Sequence, residues 1–158
     1  MGTIRAGLAT ALAVPNAVAP YTYNLAGVGQ VVHGKYASPP VTALPFAMIT
    51  DWSLPSAHGP QLGRYERRPQ FMILLGAPVT EDTVDVRVTA AEHIAQDACI
   101  AIERAVRGVG GALASTVLDV IVSNIDPIEA MQGDGYAGFA LVVLTVDLYY
   151  RVDSTGGI

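Results

Sequence analysis

Cysteine is nearly absent from this chain: Cys99 is the single one in 158 residues. One thiol excludes an intramolecular disulfide framework and a cysteine-based metal cage within one chain, and it suits a reducing compartment during folding. Charge is also scarce. Only 15% of residues are charged against 51% hydrophobic, which excludes a disordered chain and leaves few charges to cover a solvated surface. The shortage points to surface buried against other subunits. No apolar run reaches the ~18 residues needed to span a bilayer, because Asp147 and Arg151 interrupt the longest one and its β-branched content favours a strand. No membrane partner is expected. Basic charge is the scarcer sign, and a net charge of −5 argues against a general nucleic-acid binder. Three of the nine basic residues nevertheless crowd into Arg64, Arg67 and Arg68, a patch that reads as a solvated or subunit-facing surface.

Chemistry is equally sparse. His33, His58 and His93 lie far apart, and no two have the spacing of metal ligands on one helix. Glu92 beside His93 is no pair, since adjacent helical residues do not face each other. Gly27-Val-Gly29 has no strand before it and no helix after it. Gly108-Val-Gly110-Gly111 closes a helix where a phosphate loop would open one. Ser115, Ser123 and Cys99 lack the setting of an activated nucleophile, and Cys99 falls on an apolar helical stripe, where an inert core thiol is expected. Glu81-Asp82 and Asp126/Glu129 read as a helix-start match to the macrodipole and a polar strand end. The expectation is therefore no catalytic residue, no cofactor and no metal.

What is present is hydrophobic pattern, and at this length it fits one domain over 1–158. Residues 1–43 read as an N-terminal helix and a long loop, 44–152 as the core, and 153–158 as a flexible tail. Arg5, the alanine-leucine stretch and Ala17-Val18-Ala19 give a weak signal-peptide look, but the residues read better as a short amphipathic helix. Its apolar stripe is Ile4, Leu8, Ala11 and Leu12, and Pro15 ends it. No pattern persists from Asn16 to Thr42, apart from a short possible strand in residues 30–36. Leu44–Trp52 alternates as a strand. A Pro/Gly/Ser-rich excursion then leads through Arg64–Arg68, a polar extended arm, into Gln70–Gly76, apolar on both faces. These two strands are expected to be antiparallel. Between Glu81 and Arg107 the period becomes helical, with Ile94, Ala98, Ile102 and Val106 on one stripe and Glu92, Gln96, Asp97 and Glu103 mostly on the other side. Gly108, Gly110 and Gly111 end the helix. Thr116–Ile128 is a further strand.

The closing run, Tyr136–Val152, is the most hydrophobic stretch. At period two, Ala140, Val142, Leu144, Val146, Leu148 and Tyr150 share one wholly apolar face, while Phe139, Leu141, Val143, Thr145, Asp147, Tyr149 and Arg151 share the other, which turns polar towards its end. The first face should lie under the main helix. The predicted class is α+β: a mainly antiparallel sheet of about four strands, two helices on one face, and long loops. Trp52, Arg64, Tyr65, Arg67, Arg68, Val143, Asp147, Tyr149 and Arg151 are the candidate subunit or partner interface, the aromatics and arginines because those types anchor interfaces.

Taken together, the short N-terminal helix, Leu44-Pro45 opening a strand, the Arg-rich approach to Phe71–Leu75, the helix Val84–Arg107 ending in glycines, and the strands Val117–Ile128 and Phe139–Val152 form a pattern. It resembles the tail terminator, or tail completion, proteins of long-tailed bacteriophages and phage-like gene transfer particles. The likeness covers Leu44 to Val152 and rests on element order, length and texture. It implies a small α+β virion protein without catalytic residues. It also implies self-assembly into a ring, hexameric in most of that family, which caps the tail tube protein and meets the head-side connector protein with DNA passing through. Such a protein is made in the host cytoplasm and resides at the head–tail junction. The alternatives are a head–tail connector or other tail-assembly subunit, and a small enzyme or ligand-binding domain on a ferredoxin-like sheet.

Overall fold

The computed structural model describes residues 2–33, 44–53, 64–67, 70–81, 83–114, 117, 119–127 and 139–153, with backbone alone at 2–3, 51–53, 64–67, 119–127 and 150–153. In chain order these form α1 (Gly2–Leu12), β1 (Val31–His33), β2 (Phe46–Ser53), β3 (Arg64–Arg67), β4 (Gln70–Pro78), α2 (Val84–Arg107), β5 (Asp119–Pro127) and β6 (Phe139–Asp153). Four long strands, ordered β2-β4-β6-β5 and antiparallel at every junction, make the body of one sheet. The three residues of β1 add to its β2 edge in parallel. The class is α+β, as the pattern predicted.

The strand that organises this sheet is β6. It is 15 residues long, and β4 and β5 flank it on either side. Because both flanking strands run antiparallel to β6, they are parallel to each other, and α2 is the crossover between them. A β4–α2–β5 unit with β6 inserted in its middle is a split β-α-β arrangement. That topology is why α2 lies across β4, β5 and β6. The polar arm is a continuation of β4. Arg64 stands opposite Asp153 and Arg67 opposite Tyr150, and Gln70 opposite Asp147 continues the same register. Strands β3 and β4 thus share one register along β6.

Strand alternation sorts the apolar residues into two layers. Ala47 and Ile49 of β2, Phe71, Ile73, Leu75 and Ala77 of β4, and the even-numbered residues Ala140 to Leu148 of β6 form one buried cluster with both helices. The stripe on α2 is mostly alanine (Ala90, Ala91, Ala95, Ala98, Ala101, Ala105), with Ile94, Ile102 and Val106 as its bulk. Small residues let the helix axis approach the sheet, and the larger strand side chains fill the space between. Each fully buried Ile or Leu in this layer is worth about 1.5–3 kcal/mol relative to exposure. Strand residues Ile73, Leu75, Leu144 and Leu148 and helix residues Ile4, Leu8, Leu12, Ile94 and Ile102 are all in that class. This layer therefore dominates the stability. Helix α1, at 11 residues, is too short to hold by itself and is fixed by docking Ile4, Leu8, Ala11 and Leu12 into it.

The opposite layer contains Phe46, Met48, Leu74, Phe139, Leu141 and Val143, with no helix residue among them. Gly76 belongs to this face by register, opposite Phe46 on one side and Leu141 on the other. A Cβ at Gly76 would overlap the Phe46 ring, so the missing side chain is what lets that ring lie flat on the sheet.

Local boundaries differ from the pattern in instructive ways. Helix α2 starts at its own cap, Thr83, whose backbone is extended and whose hydroxyl accepts from the Val86 N–H at 3.4 Å. At the other end Gly108 is extended (φ −76°, ψ 147°), and the left-handed turn expected there comes two residues later at Gly110 (φ 72°). Strand β5 begins at Asp119, and Val122 to Asn124 carries a bulge. Asp153, assigned from sequence to the tail, closes β6.

Candidate functional site

Where β4 ends and α2 begins, the chain encloses an open groove of about 550 Å3. Pro78, Val79 and Thr80 form one wall as β4 turns towards the helix. The other wall is α2 itself: Asp85, Thr89 and His93 recur every four residues, as do Val86 and Ala90, so both rows line one side of the helix. Tyr23 closes the end. The lining is mostly apolar, and Asp85 is its only carboxylate among the described residues, with exposed Glu81 just before the helix.

Tyr23 reaches the groove because the segment after α1 is strapped to α2. Asp97 accepts the Thr22 N–H at 3.0 Å on each oxygen and the Tyr23 N–H at 2.7 Å. The Asp97 side chain is 1% exposed. This corrects its placement on the solvated side of the helix. The reason is local: two backbone N–H groups supply what water would otherwise give, and a buried carboxylate is tolerated when it is hydrogen-bonded this way. Leu25 adds a fully buried anchor, and the Arg104 guanidinium sits 5.7 Å from the Tyr21 ring centroid. Residues 16–30 form no helix or strand, in line with their lack of sequence pattern, but are strapped to α2. Burial, and secondarily the Asp97 carboxylate, pushes the Tyr23 phenol above its ordinary pKa, so it stays protonated and able to donate at neutral pH.

The nine interface residues chosen from sequence fall in different settings. Val143 is buried in the helix-free layer beside Leu74 and Leu141, and Asp147 is buried with its Oδ1 accepting from Gln70 Nε2 at 2.9 Å across the β4–β6 ladder. As the subunit stands, neither side chain is offered to a partner; alternation placed them on the outer face correctly, but that face is itself packed. Tyr149 is partly exposed near the end of β6. Arg64, Tyr65 and Arg67 form β3, and Arg151 stands opposite Glu66 in the same ladder, so four of the nine are brought together in one ribbon. Trp52 stands on β2 opposite Phe71 in the backbone register, and Arg68 lies outside the described residues.

Of the histidines, His33 ends β1 and His93 lines the groove, both exposed, while His58 lies outside the described residues. Among the described residues no three His, Cys, Asp or Glu side chains gather as a metal site. Cys99 is partly buried against the helix-facing core, and burial followed by the Glu103 carboxylate raises its thiol pKa, which disfavours the reactive thiolate. None of the described helices is long and apolar enough to cross a membrane.

The chain matches no known family model and no curated protein significantly. Its function is therefore argued from its own residues. The groove is the feature that sequence reading missed. Its walls come from three segments, Tyr23, 78–80 and 85–93, whose meeting depends on the Asp97 strap. The one available signal was an acidic residue, Asp97, next to the alanine stripe of an otherwise well-segregated helix.

Proposed function

We propose that this chain is a structural virion protein, a tail terminator that assembles into a ring on the end of a phage-like tail tube and joins it to the head-side connector. The observation that supports the reading is the element order: α1, two antiparallel strand lines, the crossover α2 and two closing strands on one sheet. It is the order on which the resemblance to tail terminators rests. The sparse charge of the sequence agrees with a subunit that spends surface on contacts between copies. A ring needs heterologous contacts, one patch meeting a different patch on the next copy.

The test is retention of the purified full chain on purified tail tubes, with mass photometry of the protein alone. Oligomers of one defined size that bind tube ends support the role. Monomer at every concentration together with no retention overturns it, and binding to connector without binding to tubes would reassign the chain to the head side.

A further inference from the structure

Among the described residues, two large apolar side chains stand wholly in solvent, Val109 at 109% and Val28 at 106% relative exposure. Val109 is held there by the turn that closes α2. The Gly108 N–H donates to the Arg104 carbonyl at 2.8 Å, the Gly111 N–H to the Gly108 carbonyl at 3.1 Å, and the Leu113 N–H to the Ala105 carbonyl at 3.0 Å. With Gly108 and Gly110 on either side, the tip is narrow as well as apolar, and covering its side chain would be favourable. The helix end behind it is basic. Exposed Arg104 and Arg107 stand there with one carboxylate, Glu103, which lies 3.5 Å from Arg107.

The groove lies at the other end of the same helix and has the complementary character. Pro78, Val79, Val86 and Ala90 give it apolar walls, and about 550 Å3 is ample for a valine with its flanking glycines. Its charge is of the opposite sign: Asp85 in the lining and exposed Glu81 before the helix, against half-buried Arg87. Helix α2 is 24 residues long, about 36 Å at the helical rise, so Val109 cannot fill the groove of its own chain. Val28 is placed differently. Val31, just after its turn, is level with Ala47 and through it with Leu75, close to where β4 runs into the groove. The exposed tip at the far end from the groove is therefore Val109.

We propose that copies of this chain join head to tail along α2, with Val109 of one copy seated among Val79, Val86 and Ala90 in the groove of the next, and Arg104 and Arg107 facing Asp85 and Glu81. The C-terminal end of one α2 then meets the N-terminal end of another, so the partial charges of the two helix ends are also opposite across the joint. A tip that meets a groove at the other end of the subunit generates a closed ring or an open filament. The inference rests on the ring reading for the existence of self-association, and it names the joint.

The experiment is sedimentation velocity on the full chain over a range of concentrations. Val109→Asp should weaken self-association by about tenfold or more, as loss of a central apolar anchor does, and it also sets a like charge against Asp85. Val28→Asp, at an equally exposed tip, should assemble as the wild type does. Neither change touches the core, and circular dichroism melts check that both variants are folded. A second test mixes Val109→Cys chains with Thr89→Cys chains, each in a Cys99→Ala background, and oxidises them. Mass spectrometry should find the disulfide between positions 109 and 89. A monomeric wild type, a Val109→Asp chain that assembles normally, an equal loss in Val28→Asp, or no link between 109 and 89 would each overturn the joint. So would a Val109→Asp chain that self-associates normally but no longer binds tail tubes, which would put the tip against a tube subunit. Multimers linked through this joint that ignore tail tubes would keep the inference and sink the terminator role. Tubes capped equally well by rings of Val109→Asp chains would do the opposite.

Discussion

Replacing Asp97 with Ala removes the carboxylate that accepts from the Thr22 and Tyr23 N–H groups. Hydrogen bonds to a charged group contribute about 1.5–3 kcal/mol each, and stranding a buried donor costs a similar amount. Two donors would give about 3–6 kcal/mol if the strap stayed in place. The strap is only part-buried, and water can reach the freed amides once it lifts, so the lower end, about 3 kcal/mol, is expected. For a domain of this size each kcal/mol lowers Tm by about 2–4 °C, which predicts a fall of about 6–12 °C. Asp97→Asn keeps one acceptor oxygen and should lose less. The assay is a thermal melt followed by circular dichroism, with amide hydrogen exchange as its local counterpart. Exchange at Thr22 and Tyr23 should speed up at least as much as the global destabilisation requires, while central β6 amides change only with global stability. A Tm within 2 °C of wild type, with Thr22 and Tyr23 still protected, would refute the claim that this carboxylate holds the strap.

Val143→Asp should unfold or strongly destabilise the subunit, by about 3 kcal/mol or more, since it removes a buried Val and strands a carboxylate beside Leu74 in the apolar layer; an unchanged urea midpoint would return that residue to the surface. Gly76→Ala should cost about 1–3 kcal/mol through overlap with the Phe46 ring, and a double-mutant cycle with Phe46→Leu should show coupling between the two positions. Tyr23→Phe tests the raised phenol pKa. A proton held more tightly in the folded state gives stability that is present below the ordinary value of about 10 and is lost as pH rises through it towards the higher folded value, so the wild type should lose stability above about pH 10 and the variant less. Equal alkaline losses in both would remove Tyr23 from that role.

The parts of this fold that alternate or repeat over many residues were legible in the sequence. Ala140 to Leu148 read as one apolar face and lie under α2, and Ile94, Ile102 and Val106 mark the buried stripe of the helix. The arm Arg64–Arg67 read as an extension of the next strand, which the shared register bears out. What escaped was decided by partners distant in sequence. Asp97 is buried because amides 74 and 75 residues away meet it. Val143 sits in a packed layer because β2 sets Phe46 and Met48 on the same face. Gly108 and Gly110 were equivalent as letters, and the hydrogen bond from the Gly108 N–H to the Arg104 carbonyl, with the Leu113 N–H reaching back to Ala105 O, placed the left-handed turn at the second. The groove joins three such non-local segments, so no local pattern announces it.

Negative-stain imaging of the purified full chain bears most directly on the proposal that it is a ring subunit. Closed rings of one size with a central lumen are the expected result, and a field of isolated monomers at concentrations where the protein remains folded would contradict it.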